Sequence, residues 1–255
     1  MRPSLPALLT CLALCACGWL PPKTQVPIPF QTHGDVEGAG TLVLLLPGIR
    51  GRADDFEKRG FIDRALALLP PDHAVITVDA HWGYYRERQA DRRIIEDLLA
   101  RYPAKRFVLA GISLGGFGSL LVADRAPERI EGLVLMAPFL GEAEDLARLK
   151  RRGTDLRPED GDRARALARA WALLLDPSRE FPVFLGYGRD DDFRTMYDYL
   201  AEQRPTGLQW MRVDGSHRWE PWTRIWTEWL QRYAADRSGA SAGRPPRDRP
   251  PLATS

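Results

Sequence analysis

The chain has 255 residues, 44% of them hydrophobic, which suits one compact α/β domain with short tails and is too little for two large ones. A formal net charge of +2 gives no global field that favours nucleic acid or an acidic polymer, and arginines alternate with acids, as in Arg86-Glu87-Arg88, in the manner of a solvated face. The cysteines stand at positions 11, 15 and 17, so the body of the chain has no thiol nucleophile, disulfide framework or cysteine metal cluster.

Arg2 precedes the apolar stretch Leu5 to Ala16, which is too short to span a bilayer in the usual way and has the layout of a secretory signal peptide over residues 1–16. Its end, Leu14-Cys15-Ala16-Cys17-Gly18, resembles a bacterial lipobox. That resemblance implies cleavage before Cys17, lipid attachment to it, and an exported lipoprotein anchored to a membrane of the bacterial envelope. Several acyl chains hold a protein where one binds only marginally. An ordinary cleaved signal, with a soluble periplasmic or secreted product, is the alternative. Residues 17–40 are then anchor and linker, and Pro21, Pro22, Pro27 and Pro29 predict a stiff, extended spacer leading away from the membrane.

From residue 41 to 237 strands alternate with helices. Thr41 to Leu46 is a continuous apolar run closed by Pro47-Gly48, suited to a strand buried on both faces. A helix follows with Phe56, Ile62, Ala65, Leu66 and Leu69 at helical spacing, then a strand over 74–78 and a helix from Arg92 to Tyr102. Strand 107–112, helix 114–126 and strands 130–136, 182–187 and 208–213 continue the pattern. A closing helix from about Pro221 to Ala235 carries Trp222, Trp226 and Trp229 as a core-facing stripe. Residues 238–255, rich in Gly, Pro, Ser and Arg, predict a disordered tail. Repeated βα units imply a mostly parallel sheet with helices on both faces, whose working end lies at the strand C-termini.

At that end stands Gly111-Ile112-Ser113-Leu114-Gly115, between an apolar strand and a helix. A sharp strand-to-helix turn lifts a serine hydroxyl clear of its neighbours, and glycines on either side let the backbone arms pass closely. Such a serine needs a base, a group to orient that base, and donors for the oxyanion. Of the histidines at 33, 73, 81 and 217, only His217 follows the last strand, in a loop that Gly215 permits to turn tightly. For the orienting acid, Gly188-Arg189-Asp190-Asp191-Asp192 offers Asp191, three residues after the glycine, with Asp190 as alternative and Asp192 as a cap for the helix from Phe193.

The order Ser113, Asp191, His217 resembles the α/β-hydrolase family over roughly 42–233, on its G-I-S-L-G-G, G-R-D-D and G-S-H segments. The resemblance implies the α/β-hydrolase fold, a serine esterase activity needing no cofactor or metal, and a small-molecule ester as substrate. It implies an oxyanion hole from the N–H of Leu114 and of a residue in Pro47-Gly48-Ile49-Arg50-Gly51, here Ile49; many relatives have His-Gly where this chain has Pro47-Gly48. It also makes the interruption at about 139–181, with Leu146, Leu149, Leu167, Trp171 and Leu174, a small helical cap. Trp82 and Tyr84 follow a strand end and are expected either to line the substrate pocket or to pack their loop. A thioesterase or peptidase would use the same triad, and a non-catalytic envelope binding protein would keep the fold alone.

Overall fold

The computed structural model describes residues 22–241. One sheet has the strand order β1-β3-β2-β4-β5-β6-β7, with β1 Phe30–His33, β2 Thr41–Leu46, β3 His73–Val78, β4 Arg106–Ile112, β5 Ile130–Met136, β6 Val183–Gly188 and β7 Leu208–Val213. Every neighbouring pair is parallel except β1 with β3. The runs read as strands bury both faces: every residue of β2, β3 and β6 is buried. Parallel strands need crossovers, and the helices that supply them cover both sides of the sheet.

The helices are α1 Ala53–Lys58, α2 Phe61–Leu68, α3 Trp82–Arg86, α4 Ala90–Ile94, α5 Leu114–Arg125, α6 Ala143–Arg152, α7 Asp162–Leu175, α8 Arg194–Glu202 and α9 Trp219–Ser241. The single helix expected after β2 is broken in two by Gly60, whose φ of 69° ends one helical run and begins the next. The helix expected from Arg92 instead starts at Ala90 and widens into a π-turn over Ile95–Leu99, where Ala100 N–H reaches Ile95 C=O. That turn keeps Leu98 and Leu99 buried. Helices α6 and α7 occupy the interruption between β5 and β6, with Leu149, Leu167, Trp171 and Leu174 buried. Trp222, Trp226 and Trp229 are buried as expected, but α9 continues to Ser241, past the expected end and into the stretch taken for a tail. The rest of that stretch, the signal segment and Cys17 lie outside the described residues.

The linker is the main correction. Residues 22–29 do not stand away from the domain; they dock on it and lead into β1, an edge strand that the sequence did not betray. Gln25 N–H donates to the Tyr84 hydroxyl at 2.9 Å, and that hydroxyl donates back to Gln25 C=O at 3.0 Å. Ile28 N–H donates to Asp97 at 2.8 Å, and the Ile28 side chain is fully buried. Burying it contributes about 2 kcal/mol. The prolines leave the N–H groups of Gln25 and Ile28 to find these partners.

At the opposite end of the sheet, the buried His73 ring joins α9 to β3. One ring nitrogen pairs with Asp72 at 2.7 Å and the other with the Tyr233 hydroxyl at 2.9 Å, and Tyr233 in turn reaches Glu131.

Candidate active site

Ser113 occupies the turn between β4 and α5 with φ 51° and ψ −112°, backbone space that a residue other than glycine rarely adopts. The turn closes only because its flanks lack side chains. A Cβ on Gly111 would come within 2.2 Å of Gly115 C=O, and one on Gly115 within 2.1 Å of Leu46 C=O. Ser113 N–H donates to Met136 C=O and Phe139 N–H to Ser113 C=O, which fixes the turn between β5 and the segment before α6.

The loops after β6 and β7 are joined to each other. Arg189 N–H donates to Val213 C=O at 2.8 Å and Asp190 N–H to Gly215 C=O at 3.0 Å. Gly215, at φ 116°, turns the second loop back, and Gly188 admits it, since a Cβ there would lie 2.1 Å from Gly215 C=O. The result brings together the side chains expected to converge. His217 Nε2 lies 2.9 Å from Ser113 Oγ, and His217 Nδ1 lies 2.9 Å from Asp191 Oδ2. The Asp191 side chain has no solvent exposure, and its other oxygen accepts Phe193 N–H at 2.9 Å. Asp191 therefore also serves the start of α8, the task expected of Asp192. The α8 helix begins at Arg194, one residue later than expected.

Aromatic rings that sequence reasoning did not assign to the site hold the imidazole from both sides. Phe193 meets His217 edge to face at 5.2 Å between centroids, and Trp222 meets it at 5.0 Å. Phe139 links Phe193 to Phe117, which rises from α5. Helical spacing placed Trp222 in the core stripe but said nothing of its second contact. Burial holds the phenol of Tyr197 well above its usual pKa, with the nearby Asp191 charge adding to it, so this tyrosine stays a neutral donor to Pro138 C=O at 3.0 Å.

The loop after β2 lies against the serine: a Cβ on Gly48 would sit 3.5 Å from Ser113 Cβ. A turn closed by Gly51 N–H to Gly48 C=O leaves Ile49 and Arg50 at its apex. Among the described residues, neither Ile49 N–H nor Leu114 N–H has a backbone acceptor, and Leu114 is the first residue of α5. Arg52, three residues on, is pinned to Asp79 at the end of β3 by paired 2.7 Å hydrogen bonds from Nε and Nη2. This is where one of the loop's arginines spends its charge.

Tyr84 does not line a pocket. It is fully buried and its hydroxyl is engaged by Gln25, so its part is to hold the N-terminal segment. Trp82 is half-buried against the core. Ser113 itself is 7% exposed. A groove of about 830 Å³, lined by residues that include Arg59, Arg212, Trp219 and Arg224, runs along α9 and contains none of Ser113, Asp191 or His217.

Residues 41–198 match the model of the α/β-hydrolase fold family, and the chain belongs to that family. Solved structures share the fold at low identity. Fluorophosphonate-binding serine hydrolase F of Staphylococcus aureus, in substrate-bound form, is 15% identical with a TM-score of 0.57, over 84% of this chain and 96% of that one. A monoacylglycerol lipase of Paleococcus ferrophilus is 19% identical at 0.56, over 81% and 99%. Est1E of Butyrivibrio proteoclasticus, with ferulic acid bound, is 14% identical at 0.58, over 83% and 96%. No curated protein sequence matches the chain.

Proposed function

We propose that the protein is a serine hydrolase that cleaves carboxylic esters through an acyl-enzyme and is anchored at the bacterial envelope through Cys17. The observation that carries the catalytic part is one imidazole bridging Ser113 Oγ and the Asp191 carboxylate at 2.9 Å on each side. Ser113 Oγ attacks the ester carbonyl as His217 Nε2 takes its proton. Asp191 holds the Nδ1–H tautomer and stabilises the imidazolium. The N–H groups of Ile49 and Leu114 receive the negative charge that develops on the carbonyl oxygen. Collapse of the adduct expels the alcohol, protonated by His217, and leaves the acyl group on Ser113. Water, deprotonated by the same imidazole, then releases the carboxylic acid.

A scarcely exposed serine, whose histidine is packed by Phe193 and Trp222 with Phe139 and Phe117 next in the series, favours a slender apolar acyl group over a folded peptide. The lipase and the ferulic acid complex among the structural relatives accord with an ester substrate. Purified protein and Ser113→Ala, assayed on short p-nitrophenyl esters, test the reading. Turnover is expected to fall by several orders of magnitude in the variant, because members of a triad act as a unit. Equal turnover by both proteins overturns it. A parallel panel of thioesters and peptides ranks the acyl donors the same triad accepts.

A further inference from the structure

From Pro22 onward, the docked N-terminal segment is linked to the mouth of the active site through a series of contacts. The segment meets α3 at its start, where a Cβ on Gly83 would sit 2.8 Å from Pro22 C=O and 2.7 Å from Cε1 of the His81 ring. His81 follows Asp79, which holds Arg52; Arg52 comes directly after Gly51, whose N–H closes the turn carrying Ile49, and that turn lies against Ser113. On the other side of α3, Tyr85 packs against Gly118 in α5, and Arg88 pairs with Asp162 at the start of α7. Residue 22 therefore sits at the C-terminal end of the sheet, on the rim that carries the serine.

That location constrains how an anchored molecule stands on its membrane. From Cys17 to Pro22 the chain spans positions 17 to 22, which when fully extended reach about 17 Å. A domain of about 200 residues has a radius of gyration near 17 Å and hence a diameter of about 44 Å. A tether of that length, rooted at the rim, cannot reach around the body to let the far end of the sheet rest on the bilayer. Of the exposed large apolar side chains among the described residues, Val26 at 68% stands on the segment and Ile49 at 50% at the mouth, whereas Leu66 at 48% stands near Gly34 at the other end of the sheet. Lys23 and Arg86 are exposed on the same rim together with Glu87, which accepts from the Thr24 hydroxyl.

We propose that the face bearing Val26 and Ile49 lies on the bilayer, so that the active site opens toward the membrane surface and takes esters presented there. This inference rests on the anchoring through Cys17 proposed above. Apolar tips at the interface add to the anchor as any buried apolar area does, and a rim-facing serine meets amphiphilic esters without drawing them into bulk water.

The test uses full-length protein exported by a bacterial host and purified as mature product. Val26→Cys, Ile49→Cys and Glu128→Cys are each labelled with a bimane fluorophore and reconstituted in 3:1 phosphatidylethanolamine–phosphatidylglycerol vesicles. Glu128 is exposed beside the start of β5, at the opposite end of the sheet. Headgroup-proximal spin-labelled lipid should quench positions 26 and 49 at least twofold more than position 128. Quenching greatest at 128, or equal at all three in protein that floats with the vesicles and carries lipid by intact mass, overturns the orientation and leaves the anchor standing. An unmodified Cys17 by intact mass, or a mature chain lacking it, overturns the anchor and the orientation with it.

Discussion

Asp79 accepts from both Nε and Nη2 of Arg52 at 2.7 Å, and through this pair the loop over Ser113 is tied to the end of β3. Paired hydrogen bonds between a planar guanidinium and a carboxylate fix direction as well as distance. If Ile49 N–H receives the oxyanion, loosening the tie should blunt catalysis more than binding. Asp79→Asn is expected to lower kcat about tenfold, well short of the 10²–10³ lost with a whole oxyanion donor, with KM little changed. Steady-state kinetics on a p-nitrophenyl ester reads the split, and a rise in KM alone would count against this part for the pair.

Asp191 has a second task besides His217, since its Oδ1 accepts Phe193 N–H. Asp191→Asn can keep that acceptor through its amide oxygen while losing the charge that stabilises the imidazolium. Activity should fall by about 10⁴-fold with the melting temperature nearly unchanged, as read by ester kinetics and circular dichroism together.

The glycines of the turn give a steric prediction. Gly115→Ala places a Cβ against Leu46 C=O, where the structure leaves 2.1 Å. Backbone must move, so stability should drop by about 1–3 kcal/mol and ester turnover with it. Gly161→Ala, where nothing lies within 4 Å and φ is −71°, is the matched control. Gly161 is the N-cap of α7, where alanine caps less well than glycine, so chemical denaturation should find a loss of no more than about 1 kcal/mol, with ester turnover unchanged.

Burial lowers the pKa of His73, and of His81 and His33, below the usual imidazole value of 6.5. In each case the folded state disfavours the proton that the unfolded chain accepts. Their stabilising effect is thus complete above the unfolded value and is lost as pH falls from there through the folded values. Denaturation midpoints should decline steadily below about pH 6.5. His73→Asn, which removes the titrating ring between Asp72 and Tyr233, should flatten that slope. An identical slope in the variant would show that His73 does not contribute to it.

Tyr84→Phe deletes the hydroxyl that both accepts from and donates to Gln25. Hydrogen–deuterium exchange should accelerate in peptides covering 22–28 and stay unchanged around Ser113. Unchanged exchange in 22–28 would mean that Ile28 and Asp97 hold the segment without it.

The strands that position the site were legible because a buried parallel strand is a continuous apolar run, as in Thr41 to Leu46, and needs no partner to be recognised. Ser113 and Asp191 could be named for a related reason: each follows such a run, while His217 follows the more exposed strand β7, so the end of the sheet for all three was known before any contact was. The segment at 22–29 was misread because its local composition, proline after proline, is that of a spacer, while its docking depends on Tyr84 and Asp97 far along the chain. The choice between pocket lining and packing for Tyr84 stayed open for the same cause, since its partner comes from that segment. The Phe193 and Trp222 contacts on His217 were hidden because they join elements whose packing angle no local pattern encodes.

The most direct measurement is reaction of the intact protein with a fluorophosphonate, followed by mass mapping of the adduct. A hydroxyl activated by the imidazole of residue 217 should yield one stoichiometric adduct on the peptide containing Ser113, slowed severely by His217→Ala. No adduct, or one on a different side chain with the Ser113 peptide unmodified, would contradict the assignment of that serine as the nucleophile.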